Sequence, residues 1–160
     1  MGPARITALL MLIAMLPSTA AIAVNCTIAS AGFNFGNYDT FSTVPLDSAA
    51  TISVTCNNPV KGPKKQPIPV MLTLSPGNSG SFTTRYMTPI SGGTDYLYYN
   101  LSTSPSHTTV FGDGTGGSDM VTALVSKEAP LNAKIYGRIP AKQNVIAGSY
   151  SDLITVTVTW

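Results

Sequence analysis

Few residues in this chain are able to do chemistry. Its 160 residues include one histidine, His107, and two cysteines, Cys26 and Cys56. A metal centre needs several nitrogen, sulfur or carboxylate ligands at matched spacing. The cysteines lie far apart and only His107 is there to join them, so no metal site is expected. A Ser/His/Asp hydrolase would also have to use His107. It sits in the polar run SPSHTT at 104–109 and reads as an exposed loop residue, and no G-x-S-x-G elbow accompanies it. The seven acidic residues stand singly in loop-like stretches, where an aspartate serves turn formation rather than one half of an acid/base pair. GDGTGG at 112–117 matches a dinucleotide fingerprint by letter. That fingerprint needs a strand before it and a helix after it. Here a second strand-like run follows, so the segment reads as a hairpin turn. No catalytic residue and no cofactor are expected, and the chain is read as a non-enzyme.

The cysteines point elsewhere. Arg5 is the only charged side chain among the first 38 residues, and ITALLMLIAML at 6–16 is an almost wholly apolar run closed by Pro17 and small residues. This is the layout of a secretory signal peptide. The run is too short to span a bilayer core, which takes about 20 residues. Cuts after Ala20, Ala21 or Ala23 suit the small residues there; Ala21-Ile22-Ala23 fits the small-x-small pattern best, so 1–23 is expected to be the signal peptide and 24–160 one exported domain. In an oxidising compartment Cys26 and Cys56 are expected to form a disulfide.

Composition sets the fold class. Charged residues make up 10% of the chain, net charge is +2, and there are 14 glycines and 12 prolines. No basic stripe exists for nucleic acid. Strand patterns recur along the chain. ATISVTC at 50–56 and LITVTVTW at 153–160 alternate apolar and polar residues, the mark of half-buried strands. Further strands are expected at 24–29, 69–74, 82–87, 96–102, 109–112, 121–126 and 134–139. Turn-rich segments separate them, including SGGT at 91–94 and the glycine run at 113–119. An all-β antiparallel sandwich is the expected architecture.

Several segments, in order, resemble the spore coat protein U domain family, whose fold is shared by archaic (Csu-type) chaperone–usher pilins. They are CTI at 26–28, FNFGNY at 33–38, ISVTC at 52–56, RYM at 85–87, LYYNL at 97–101, VFGDG at 110–114, YGRIP at 136–140 and GSYSD at 148–152. The resemblance implies an incomplete immunoglobulin-like β-sandwich that lacks its last strand. A periplasmic chaperone, and then another pilin subunit, would supply that strand. It further implies an acceptor groove bordered by Ile28 near Cys26 and by Ile154, Val156, Val158 and Trp160. An outer-membrane usher would be a third partner, and the cell surface, a pilus or the medium the destination. One departure is visible: a cut after Ala23 leaves only Val24 and Asn25 before Cys26. Such a chain would accept a strand but not donate one, as at a fibre tip or cap. The competing expectation is a self-contained secreted module that binds carbohydrate or a surface through Tyr96, Tyr98 and Tyr99.

Overall fold

The computed structural model of the chain describes residues 23–58 and 66–160. The expected signal peptide, apart from Ala23, and most of the lysine-rich loop at 57–67 lie outside the described residues. Ten strands follow in order: β1 (Asn25–Ser30), β2 (Leu46–Asn57), β3 (Ile68–Leu74), β4 (Tyr86–Pro89), β5 (Leu97–Tyr98), β6 (Asn100–Ser102), β7 (Val121–Val125), β8 (Leu131–Ile139), β9 (Tyr150–Ser151) and β10 (Val156–Thr159). The one helical element among the described residues is a short 3-10 turn, Gly77–Ser79.

Every pairing between these strands is antiparallel. One sheet has the order β1-β2-β8-β6, a second β10-β3-β7, and a small third β5-β4-β9. The two larger sheets carry the core between them. Ile52, Val54 and Cys56 of β2 face it, as do Val70, Leu72 and Leu74 of β3 and Ala133, Ile135 and Ile139 of β8. Each set is spaced by two residues, with Gly137 filling the inward position between Ile135 and Ile139, as one face of a pleated strand requires. The all-β sandwich expected from the alternation is therefore the observed fold.

The differences from the sequence reading have local causes. The strand expected at 82–87 begins only at Tyr86, because Arg85 turns fully inward and its neighbours follow it. The run 96–102 splits at Tyr99, whose N–H bonds to the carbonyl of Arg85 at 3.0 Å. Its halves, β5 and β6, then join different sheets. The 109–112 segment contributes only isolated bridges at Val110 and Phe111. β2 starts earlier than expected, at Leu46, since the small inward residues Ser48 and Ala50 hide its alternation.

The aromatic pair Phe33 and Phe35 belongs to no strand but closes the core, with ring centroids 4.8 Å apart. Gly137 makes this possible. A Cβ there would collide with the Phe33 ring and come within 2.7 Å of the Phe35 ring. Gly137→Val should therefore displace both rings and lower stability by about 1–3 kcal/mol, the usual cost of overpacking. Urea unfolding checks this, and an unchanged midpoint would show that the rings are not held against β8.

Candidate functional site: an open cleft between two edge strands

Among the described residues, β1 pairs only with β2, and β10 only with β3. Both are edge strands, one from each large sheet. Between their margins lies an open cleft with a cavity of about 330 Å³, bounded on one side by Ser30, Phe33 and Phe35 and on the other by Leu153, Ile154 and Val156. Its floor is core: Ile52, Leu74, Leu101 and Ile135.

The free backbone groups of both edges follow from the ladders. Ser75 donates its N–H to the Thr155 carbonyl at 2.9 Å, while the N–H of Leu74 turns away to Gly112 O at 3.0 Å. Hydrogen-bonding direction alternates along an antiparallel strand. Thr157 and Thr159 thus bond toward β3, and the N–H and C=O of Val156 and Val158 point to the open side. On β1 the Cα atoms of Cys26 and Cys56 are 4.0 Å apart, the close spacing of a pair that does not exchange backbone bonds. Cys26, Ile28 and Ser30 therefore also present their backbone groups outward.

Among the residues expected at a groove, Ile28 lies opposite Val54 and so shares its inward face, yet it is 47% exposed. Ile154, Val156 and Val158 are half-buried against the core. Trp160 departs from the alternation. It follows the last paired residue, is 55% exposed, and lines a shallow depression on the outer face with Pro69, Met71 and Leu124. The alternating pattern put it inward, but past Thr159 no neighbouring strand holds its backbone to that pleat.

The polar side chains on the cleft margin are already bonded. The Tyr99 hydroxyl donates to Asp152 Oδ2 at 2.7 Å, and the Asn78 N–H donates to Asp152 Oδ1 at 2.8 Å. Burial, reinforced by the bond to Asp152, pushes the Tyr99 phenol well above its ordinary range. Tyr150 donates to Asp95 at 3.0 Å. Cys26 and Cys56 form the expected disulfide, tying edge strand β1 to buried β2.

Other residues singled out by sequence fall elsewhere. His107 is not an exposed loop residue. Its side chain is 12% exposed and lies 3.6 Å from Asp47, with Nδ1 3.1 Å from Ser102 Oγ. Sequence spacing gave no sign that these three would meet. The trio has the membership of a hydrolase triad but not its geometry. Ser102 is 3% exposed, and its single hydroxyl proton has the carbonyls of Ser104 and Tyr136, each 3.0 Å away, as acceptors. Asp47 is gripped by Arg138 through two bonds of 2.7 Å, and that hydrogen bond holds its carboxyl below the ordinary value. The pair therefore contributes stability above about pH 4 and loses it as pH falls further, by less than about 1 kcal/mol because both side chains are well exposed. The glycine run at 112–117 is a turn, closed by Gly112 N–H to Asp119 O at 2.7 Å. The expected aromatic cluster is recomposed: Tyr99 is buried, and Tyr86 stacks on Tyr96 at 4.2 Å in its place.

A disulfide-tied sandwich with two unpaired facing edges is a pilin-like member of the immunoglobulin-type folds. Residues 12–157 match the Spore Coat Protein U domain family, and the chain belongs to it. That family is one of structural subunits rather than enzymes. The chain is similar to Protein U of Myxococcus xanthus, with 25% identity over 174 residues covering 98% of this chain and 96% of that protein. Among solved structures it resembles the CsuC–CsuE chaperone–tip adhesion subunit pre-assembly complex from archaic chaperone–usher Csu pili of Acinetobacter baumannii (TM-score 0.54, 19% identity, 86% of this chain and 40% of that one). A chaperone–tip adhesin complex of CFA/I fimbriae biogenesis is also similar (TM-score 0.50, 15% identity, 84% of this chain and 41% of that one). The chain thus spans about two fifths of the length of these two structures' chains.

Removing the disulfide frees β1 at one wall of the cleft. Replacing Cys26 and Cys56 together by Ser should lower stability by about 2–5 kcal/mol, and hydrogen exchange should then be fastest along β1. Equal protection of β1 in the variant and the parent would show that the bond does not hold this edge.

Proposed function

We propose that the chain is an exported structural subunit of a chaperone–usher pilus or surface coat. Its cleft accepts a β-strand, first from a periplasmic chaperone and then from a neighbouring subunit delivered through an outer-membrane usher. The observation that carries this reading is the pair of unpaired edges facing one another across an apolar cleft. Natural proteins guard such edges with charges, prolines or bulges. β1 (NCTIAS) and β10 (VTVT) contain neither a charge nor a proline. An extended segment laid between them would bond to the outward groups of Val156 and Val158 and place alternate side chains into the cavity, the mode of strand addition. Each large aliphatic side chain so buried contributes about 1.5–3 kcal/mol.

A self-contained binding module is the weaker reading, since it leaves both edges and the cavity without a purpose, and Tyr99 is turned inward. The signal peptide at 1–23 supports export of a domain at 24–160. A terminal place in the fibre fits the likeness to complexes of tip subunits.

Val156→Asp would set an unpaired carboxylate into the apolar cleft, which strand addition cannot accommodate. Co-purification with the cognate chaperone and secretion should both be lost. Thr157→Asp, on the exposed face, should be far milder. Equal effects of the two substitutions would refute the cleft as the docking site. Purified chain should bind a peptide of alternating apolar residues yet form no fibres alone; fibres from the chain by itself would end the terminal-subunit reading.

A further inference from the structure

The small sheet β5-β4-β9 carries an aromatic cluster on its outer face. Tyr86 stacks on Tyr96 with ring centroids 4.2 Å apart, and Tyr98 meets Tyr86 edge-on at 6.1 Å. Their chain neighbours Met87 and Leu97 pack into the core, so alternation turns Tyr86 and Tyr98 outward. The three rings form a ridge, and Tyr98 at one end of it is 48% exposed. Bonds from within the chain hold this ridge in place. The Tyr86 hydroxyl donates to Asn78 O at 3.3 Å. The Gln143 side chain accepts from the Tyr98 N–H and donates to the Tyr98 carbonyl, both at 2.8 Å.

Those two bonds also limit what can bind here. β5 is an edge strand, but Gln143 occupies its outward backbone groups, so a further strand cannot add to it. A charged ligand finds no counter-charge, because β4, β5 and β9 contain no acidic or basic residue. Asp95, beside Tyr96, is committed to the Tyr150 hydroxyl and the Ile146 N–H. What the face does offer is ring surface and hydroxyl groups. Among the described residues the Tyr96 and Tyr98 hydroxyls have no hydrogen-bond partner. Past Tyr98 the face deepens into a cavity of about 260 Å³, whose wall includes the Tyr98 side chain, Thr83, Thr84 and Pro140. The charges near that wall are matched from within: Arg138 bonds Asp47 twice at 2.7 Å, His107 lies 3.6 Å from the same carboxylate, and Arg85 is wholly buried.

We propose that the ridge of Tyr96, Tyr86 and Tyr98, with the recess beyond it, binds a neutral oligosaccharide. A pyranose ring has the same two-part character as a tyrosine side chain, with apolar C–H faces and a rim of hydroxyls. Laid on the ridge it covers ring surface, while its hydroxyls reach the phenol oxygens directly or through water. The recess is smaller than the roughly 300–1,000 Å³ of sites for drug-sized ligands, so it takes one sugar unit and the ridge takes those that follow. Tyr86, Tyr96 and Tyr98 do not line the strand-accepting cleft, so the site stands whether or not a strand is accepted there.

Binding is read by NMR from the tyrosine ring C–H signals of purified, 13C-labelled chain. Cellohexaose and maltohexaose are the neutral probes, hexagalacturonate is the acidic one, and a peptide of alternating apolar residues is the competitor. At least one neutral hexaose should shift the Tyr96 and Tyr98 signals saturably in the millimolar range and leave Tyr136 on β8 unmoved. Tyr98→Ala should weaken binding about tenfold or more, and Tyr98→Phe, which keeps the ring, much less. No saturable shift with either neutral hexaose, equal or tighter binding of hexagalacturonate, displacement of the sugar by the peptide, or undiminished binding in Tyr98→Ala would overturn the site. Should Tyr98→Ala not fold, Tyr96→Ala, outside the strands, takes its place with the same expected loss.

Discussion

Three pieces of chain from different parts of the sandwich end on one buried guanidinium. Arg85 holds the carbonyl of Ser75 just beyond β3, the carbonyl of Phe111 in an irregular segment, and the side chain of Asn100 at the start of β6. Its own carbonyl accepts the N–H of Tyr99, where the chain leaves one sheet for another. A buried charge is costly, and burial does depress the basicity of this group, with Tyr99 and Asp152 opposing. Removing it would cost more, because a buried carbonyl, a part-buried carbonyl and an amide would lose their donor at once. Its outer face rests on the Phe82 ring at 5.5 Å, a cation–π contact that offsets part of the desolvation. The irregular path of residues 82–85 is the path that lets this side chain reach inward.

Away from the β6 side, the margin between β1 and β10 forms an open cleft. β2, β3 and β8 have neighbours on both sides and supply most of the core. β1 and β10 each have one neighbour, and what holds them differs. β1 is tied covalently through Cys26. β10 is held by its ladder to β3 and by Thr155, which also takes its N–H to Ser75 Oγ at 2.9 Å. The cleft thus keeps its shape with its outward backbone groups still unused.

Much of the sandwich was legible because alternation reports burial directly. The period-two pattern of 50–56 yields β2 with the inward residues Ile52, Val54 and Cys56, and the runs 69–74 and 134–139 coincide with β3 and β8. Alternation says which face is inward, but not whether a neighbour covers it. The exposure of Ile28 depends on strand order, which no local pattern encodes; only the likeness of ordered segments to a known family pointed there. The break at Tyr99 was invisible for a similar reason. YLYYNLS is a good strand by composition, and only the long-range pull of Arg85 divides it. The same holds for His107, whose partners Ser102 and Asp47 come from two other strands.

The chemistry of the cleft bears on what kind of segment fits it. Its polar side chains at the margin, Tyr99, Asp152 and Tyr150, have found partners within the chain. What remains unmet is backbone on the two edges and apolar surface between them. A polar side chain on an entering strand would therefore find few free partners and would lose its water. An apolar one would gain contact with Ile52, Leu74 and Ile135 on the floor. Recognition of this kind rests on main-chain bonds and on shape at alternate positions, so two strands of unrelated sequence but similar patterning would fit the same cleft. That property is what the proposed succession from one donor to another demands, and it follows from a cleft whose marginal polar side chains are bonded within the chain.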